Sequence, residues 1–180
     1  MAAPDSVTLK DLSGTWVMNK TLSDDTDAVL KLQGISWLVR RAIAYSTITL
    51  YAKEYVDDAK VYHIDIDQVS SPGSIKNREE RALDWVFHEK DDSFFGKVKG
   101  RTRWIKLEDV SDEYMNQGWA KECVDGEVID AYVESIGGGW VAEQIWGFAE
   151  VDGGRRHVRR SVVKKGKQVE RVSLVYDWQK

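Results

Sequence analysis

The residues best suited to bind a small molecule lie in the stretch Trp140–Val151. Read with a period of two, one side of this stretch carries Trp140, Gln144, Trp146 and Phe148. Alternation of this kind predicts a β-strand. Three large rings and one amide suit a cavity wall, because rings shape an apolar space while one polar group orients the guest. The alternative interpretation is that the same rings fill a solid β core.

Acid–base catalysis is a second chemistry that the sequence offers. Asp130 lies between Ile129 and Ala131 and shares one side of its stretch with Tyr132. A carboxylate that faces an aromatic pocket has a raised pKa and can act as a general acid or base. Asp130 and Tyr132 are therefore the predicted catalytic residues if the protein is an enzyme.

Other catalytic chemistries find no support in the sequence. The three histidines, His63, His88 and His157, are far apart and none has the spacing of metal ligands. The chain has neither a glycine-rich phosphate loop nor a nucleophile elbow. The single cysteine, Cys123, lies among acidic residues that disfavour its thiolate. We therefore predict no metal and no cofactor.

The elements that must position these residues are mostly β-strands. From Thr47 onward the hydrophobic pattern has a period of two. Short turns rich in Gly and Asp interrupt it, and the predicted turns include Ser70–Gly73 and Glu89–Asp92. The predicted strands after the first are Thr47–Val56, Lys60–Gln68, Arg78–His88, Ser93–Leu107, Glu127–Ile136, Gly139–Val151, Arg155–Lys164 and Gln168–Trp178. Strands joined in this way form an antiparallel meander, and closing it into a barrel removes the exposed edges. We predict an all-β fold, a single up-and-down barrel of about eight to ten strands.

Two short helices interrupt the pattern after the first strand, which begins at Leu12. Ser23 or Asp24 can cap the first helix, and Gly34 ends it. The second helix is predicted over Ile35–Tyr45. Residues 1–11 are predicted to be a loose N-terminal tail and residues 12–180 the barrel domain.

Composition narrows the possible partners. The 180 residues carry a net charge of −4, which argues against nucleic acid as the main partner. No apolar run approaches the length of a membrane span, so we expect no stable membrane insertion. One cysteine and the absence of a signal-peptide pattern predict a cytoplasmic setting. The oligomeric state does not follow from the sequence.

Several local motifs carry a resemblance to a known family. Gly14-Thr15-Trp16 opens the first strand, the helical pair follows at once, and Ile75–Glu79, Gln144–Trp146 and Val175-Tyr176 match further family segments. The chain resembles the calycin superfamily, in particular the lipocalins and the intracellular fatty-acid-binding proteins, and is similar to small lipocalin-like proteins of filamentous fungi. The resemblance implies a barrel whose helical pair forms a lid over an apolar cavity.

The chain departs from the family at one informative position. The resemblance implies an inward arginine two residues before the final tyrosine, where this chain has Leu174, and a second inward arginine at Arg160. Leucine cannot form a charge-assisted bidentate bond, so we expect a guest more neutral than a fatty acid. The candidate ligand-binding residues are Trp37, Tyr51, Tyr62, Trp85, Trp104, Trp140, Gln144, Trp146, Arg160 and Tyr176.

Two functions follow as expectations. The first is binding of a hydrophobic small molecule, such as a lipid, a terpenoid or a polyketide-like compound, in the aromatic cavity. The alternative is a cofactor-independent isomerase or cyclase of the pericyclase type that folds such a molecule on the same barrel, because such a catalyst needs shape and hydrogen bonds rather than a nucleophile. A third hypothesis is a protein-interaction module with an exposed tryptophan patch.

Overall fold

A computed structural model describes residues 1–72 and 75–179, and in these ranges ten antiparallel strands form one sheet. The strands are β1 (Gly14–Met18), β2 (Thr47–Val56), β3 (Tyr62–Ser71), β4 (Ile75–Ala82), β5 (His88–Asp92), β6 (Gly96–Ile105), β7 (Val128–Ser135), β8 (Trp140–Val151), β9 (Gly154–Lys165) and β10 (Gln168–Gln179). The helices are α1 (Asp27–Leu32), α2 (Trp37–Tyr45), α3 (Glu113–Asn116) and α4 (Lys121–Asp125), with a 3₁₀ turn at Leu107–Asp109. The described part contains no helix long and apolar enough to cross a membrane.

The sheet is an up-and-down barrel that is closed except at one gap. Consecutive strands pair from β1 to β4 and from β5 to β10, and β1 also pairs with β10 through Trp16 and Trp178. Across the gap between β4 and β5, the Asn77 amide donates to the Asp92 carboxylate at 3.3 Å. The predicted all-β barrel is confirmed. The predicted turn at Ser70–Gly73 includes Gly73, which lies outside the described residues, as does Lys180.

Most predicted strands are present, but one segment differs. The predicted strand Arg78–His88 ends at Ala82, and the predicted turn Glu89–Asp92 belongs to β5. Trp85 has a φ of 59°, which extended backbone does not adopt, and its N–H donates to the Thr102 carbonyl at 3.0 Å. Residues 83–87 therefore form a loop on the outside of the barrel.

The helical pair covers the mouth of the barrel, as predicted. Val29 and Leu32 of α1 are buried against Trp140 and neighbouring aliphatic side chains of the wall. The first helix begins later than predicted, because Ser23 and Asp24 bond to β10 instead of capping it. The hydroxyl of Ser23 accepts from the Val175 N–H at 2.8 Å.

The N-terminal tail closes the opposite end of the barrel and is not loose. Ala3, Val7 and Leu9 are buried in the main core. The Ala3 N–H donates to the Arg155 carbonyl at 2.7 Å, so the tail also bonds to the wall. The ammonium of Lys10 lies 3.4 Å from the ring centre of Trp104. The tail is thus part of the fold of the closed end.

Candidate functional site

A cavity of about 590 Å³ lies inside the barrel beneath the helical lid. Its lining includes apolar side chains from the lid, from the β5–β6 turn and from the wall, namely Val29, Leu30, Ile35, Ile43, Phe94, Phe95, Val98, Trp140, Ala142, Val163 and Val172. A second group of lining residues is polar or charged and includes Gln68, Asn77, Glu79, Arg81, Thr102, Gln144, Arg159, Ser161 and Tyr176. The site therefore combines apolar walls with a set of polar groups.

Strand alternation explains how β8 and β9 line this space. In the register of these strands, Ala142 pairs with Val163, Gln144 with Ser161, and Trp146 with Arg159. Each pair points to one face, because side chains opposite each other across a sheet share a side. Gln144 therefore faces the cavity beside Ser161 and one step from Arg159.

Three charged side chains form a cluster in the cavity, which we call the charged band: Glu79, Arg81 and Arg159. Arg81 binds the Glu79 carboxylate through two nitrogens at 3.0 Å. Nη1 of Arg159 lies 4.0 Å from the other oxygen of Glu79. Two guanidiniums thus face one carboxylate, so the band carries an excess positive charge, which favours an electron-rich oxygen on a guest.

The guanidinium of Arg159 lies over an aromatic floor. Its central carbon is 3.7 Å from the ring centre of Trp146 and 5.3 Å from that of Tyr176. A cation–π contact of this kind stabilises a desolvated guanidinium. In the described chain its only hydrogen bond runs from Nε to Nε2 of His157 at 3.3 Å. The two terminal nitrogens therefore remain available as donors to a guest.

The surroundings set the ionisation of the neighbouring groups. Burial alone would raise the pKa of Glu79, but the guanidiniums of Arg81 and Arg159 hold it below its ordinary value. Burial raises the pKa of Tyr176, which keeps its hydroxyl protonated. The cavity therefore presents a carboxylate that is already paired, and a neutral phenol.

Gln144 and Ser161 add further hydrogen-bonding groups. The Gln144 carbonyl accepts from the indole N–H of Trp146 at 3.0 Å, which leaves its NH₂ group facing the cavity. The Ser161 hydroxyl is buried and has no hydrogen-bond partner among the described residues. Because a buried hydroxyl without a partner is costly, Ser161 is a candidate for a hydrogen bond to a guest.

Four of the predicted ligand-binding residues belong to this site. Trp140, Gln144 and Tyr176 line the cavity. Trp146 is fully buried beneath Arg159 and forms the floor. Their roles toward a ligand remain predictions.

Arg160 does not line the cavity, and the arginine of β9 that does is Arg159. Arg160 lies on the outer face, where its guanidinium is 4.4 Å from the Trp119 ring and donates to the Gly118 carbonyl at 3.2 Å. A shift of one residue along a strand moves a side chain to the other face. The prediction also expected half of an arginine pair to be missing at Leu174, yet Arg81 on β4 supplies a second guanidinium from another strand.

The predicted catalytic pair lies outside the barrel. Asp130 is fully buried on the outer face, where Arg103 donates to it at 2.9 Å and burial raises its pKa. The Tyr132 hydroxyl donates to Glu134 at 3.1 Å. Asp130 and Tyr132 alternate with inward-facing residues of β7, so neither reaches the cavity, and the prediction of a cavity-facing pair was wrong.

Five further predicted rings lie away from the cavity. Trp37 on α2 and Tyr51 on β2 are exposed, at 63% and 51% of their surface. Trp85 packs outside against Arg101 and Arg103. Tyr62 and Trp104 pack edge to face at the closed end beneath Lys10. These rings contribute to packing or to the surface in this structure.

Comparison with known proteins gives close relatives of the whole chain. It is 37% identical over 180 residues to the probable pericyclase scpY of Mollisia scopiformis, covering 98% of this chain and 94% of that protein. It is 35% identical over 181 residues to the pericyclase pydY of an Acremonium species, covering 99% and 97%. No family model matches the chain.

The fold has a solved counterpart in the Schistosoma mansoni fatty acid binding protein in complex with arachidonic acid. The two structures superpose with a TM-score of 0.57 at 14% sequence identity, over 97% of this chain and 100% of the other. This similarity confirms the calycin-type barrel that the sequence predicted.

Proposed function

The chain belongs to the family of fungal pericyclases that these two relatives represent, and on this premise we propose that it catalyses a pericyclic isomerisation inside the barrel cavity. In such a reaction π and σ bonds of one molecule are redistributed in a single cyclic array. No atom, proton or electron pair is exchanged with the protein. The reaction therefore needs a folded substrate and a suitable electrostatic environment rather than a nucleophile.

The observation that carries this proposal is a set of donors without hydrogen-bond partners in the described part of the protein, which face the cavity beside its apolar walls. The terminal nitrogens of Arg159, the amide of Gln144 and the hydroxyl of Ser161 lie on neighbouring strand positions. Donors aimed at an oxygen conjugated with the reacting π system withdraw electron density and lower the barrier. A guest bound beneath the lid would displace water from these donors, which would then act at a lower dielectric than in bulk solvent.

The walls contribute by restricting the conformation of the substrate. Phe95 and Trp140 pack edge to face, with ring centres 5.5 Å apart, beneath the lid. An apolar chain held between such rings reacts from a folded conformation that is rare in water, which removes part of the entropic cost. We therefore propose a substrate with an apolar conjugated chain and one carbonyl or enol oxygen, the oxygen directed toward the charged band.

The test is a conversion assay on linear conjugated polyenones of graded length, analysed by chiral chromatography. We expect one stereoisomer to form faster than in buffer alone. Removal of one charged donor by Arg159→Leu should lower the rate constant kcat about 100-fold. The matched control is Arg160→Leu, which removes an identical side chain from the outer face. Equal rates in Arg159→Leu and wild type would contradict the proposal.

Binding without conversion is the second candidate, because a cavity with apolar walls and the two guanidiniums of the charged band also suits a lipid with a polar head. Under this function the protein would return the guest unchanged, and the polyenones would bind without accelerated reaction. Under either function we propose that the protein is located in the cytoplasm.

A further inference from the structure

A buried histidine lies next to the charged band without reaching the cavity. The imidazole of His157 is surrounded by rings, with centres 5.3 Å away for Trp16, 5.7 Å for Tyr176 and 5.9 Å for Phe148. Burial, together with the positive charge of Arg159, lowers its pKa well below the usual value. The ring is therefore neutral at physiological pH.

The two partners of the ring fix its tautomer. Nδ1 lies 3.1 Å from the carbonyl oxygen of Gly147, which accepts hydrogen bonds and cannot donate them. A neutral imidazole has one N–H, so that hydrogen must lie on Nδ1 and leave Nε2 as an acceptor. Nε2 then receives the Nε–H of Arg159 at 3.3 Å. Both ring nitrogens are therefore hydrogen-bonded: Arg159 donates to His157, and His157 donates to the Gly147 carbonyl.

Gly147 is itself held from outside the barrel. A Cβ at this position would lie 2.7 Å from the ring of Trp119 and 3.2 Å from the sulfur of Cys123, so only glycine allows this packing. The next residue, Phe148, donates its N–H to the Cys123 sulfur at 3.2 Å and accepts from the Ala120 N–H at 2.8 Å. The segment 119–123 thus fixes the backbone that binds His157.

We propose that His157 is a positioning residue that holds the guanidinium of Arg159 over the ring of Trp146, and that the outer segment 119–123 supports it through Gly147. The inference deepens the proposed function, because it assigns a supporting group to the same site. The bond to His157 fixes one end of the guanidinium, so the terminal nitrogens keep a constant direction toward the substrate oxygen. A donor that is already oriented costs no reorganisation during the reaction.

The first test measures the tautomer in the wild-type protein, without any turnover. Long-range proton–nitrogen NMR spectra of isotope-labelled protein should show His157 neutral, with hydrogen on Nδ1, from about pH 7 to about pH 8. His63 and His88, which are accessible to solvent, provide the contrast within the same spectra. Hydrogen on Nε2, or a positively charged ring in this range, would overturn the proposal, because neither form accepts from Arg159.

The second test compares two variants in the conversion assay. His157→Leu removes the acceptor, and we expect kcat to fall about tenfold while KM changes less than about twofold. His157→Gln keeps an acceptor and a donor, so we expect it to recover most of the wild-type kcat. If His157 only filled space, His157→Leu would retain as much kcat as His157→Gln. Unchanged kcat in a folded His157→Leu protein would contradict the inference.

The two tests separate this inference from the proposed function. If no polyenone is converted but the tautomer is as expected, the function proposal fails while the hydrogen bond to Arg159 stands. If conversion occurs and depends on Arg159 but the tautomer is reversed, the positioning role fails alone. If His157→Leu does not fold, the wild-type spectra still show whether His157 has the tautomer that accepts from Arg159.

Discussion

The distance between Oε1 of Glu79 and Nη1 of Arg159 is 4.0 Å, which is too long for a hydrogen bond. Arg81 already holds that carboxylate at 3.0 Å, so Glu79 compensates one guanidinium much more closely than the other. A buried guanidinium without a close carboxylate is costly, and here an aromatic floor and a neutral imidazole compensate in part. This imbalance provides the donors that the proposed function requires, and it makes the affinity for anions a direct test of the site.

The first prediction concerns the charge of Arg159. Arg159→Leu should weaken binding of the anionic probe anilinonaphthalene sulfonate about tenfold to 100-fold, because a hydrogen bond to a charged group contributes about 1.5–3 kcal/mol. Binding of the neutral probe Nile red should change much less. Fluorescence titration measures both affinities, and Arg160→Leu on the outer face is the control. An equal loss for both probes would show that the substitution damages the cavity rather than its charge.

The second prediction concerns the opposite charge. Glu79→Gln leaves Arg81 and Arg159 without a counter-ion, so the anionic probe should bind more tightly, while the free energy of unfolding should fall by about 3–5 kcal/mol. Urea denaturation measures the loss. Glu80→Gln is the matched control, because Glu80 is the next residue of β4 and its side chain is largely exposed. A weaker affinity for the anion in a folded Glu79→Gln protein would contradict the excess positive charge.

The strand order and most strand ends could be predicted from the sequence, but the inward arginine depended on the length of one turn. Asp152 and Gly153 have φ of 50° and 67° and form a two-residue hairpin, so Val151 pairs with Gly154. This register places Arg159 opposite Trp146. A three-residue turn would place Arg160 there instead. Both faces of β9 contain arginine and valine, so the hydrophobic pattern did not distinguish the two registers.

A local sequence pattern could not predict the contacts on the outer face of the barrel. The aromatic residues around Trp85 suggest a strand, yet the Trp85 ring contacts Arg101 and Arg103, which belong to the separate strand β6. In the same way Asp130 is buried by a loop and by Arg103 rather than by the cavity. Burial of a carboxylate predicts a raised pKa on either face of a sheet, so the sequence identified an unusual carboxylate but not the side on which it lies.

The third prediction concerns the N-terminal tail. Leu9→Ala should lower the free energy of unfolding by about 2–4 kcal/mol, because Leu9 is buried in the main core and its truncation leaves a cavity. Val124→Ala, on an exposed side chain of α4, is the control and should change stability by less than about 0.5 kcal/mol. Urea denaturation of the two variants measures the difference. Equal stabilities would mean that the tail does not contribute to the closed end.

The last prediction concerns the carboxyl group of Glu54, which lies beside the tail. Burial raises its pKa from 4.5 to about 7, although the Leu12 N–H donates to one oxygen at 2.8 Å. Since the folded pKa lies above the unfolded one, this group contributes stability that is fully present below pH 4.5 and is lost as the pH rises through 7.

Glu54→Gln removes that loss while it keeps an oxygen that can accept from Leu12. Relative to wild type, the variant should therefore gain stability as the pH is raised from about 5 to about 8, by on the order of 1–3 kcal/mol. Urea denaturation at the two pH values measures this change, and Glu108→Gln, on a side chain that is 75% exposed, is the control. If Glu54→Gln and wild type lose stability in parallel over this range, the carboxylate is not the group whose ionisation destabilises the closed end.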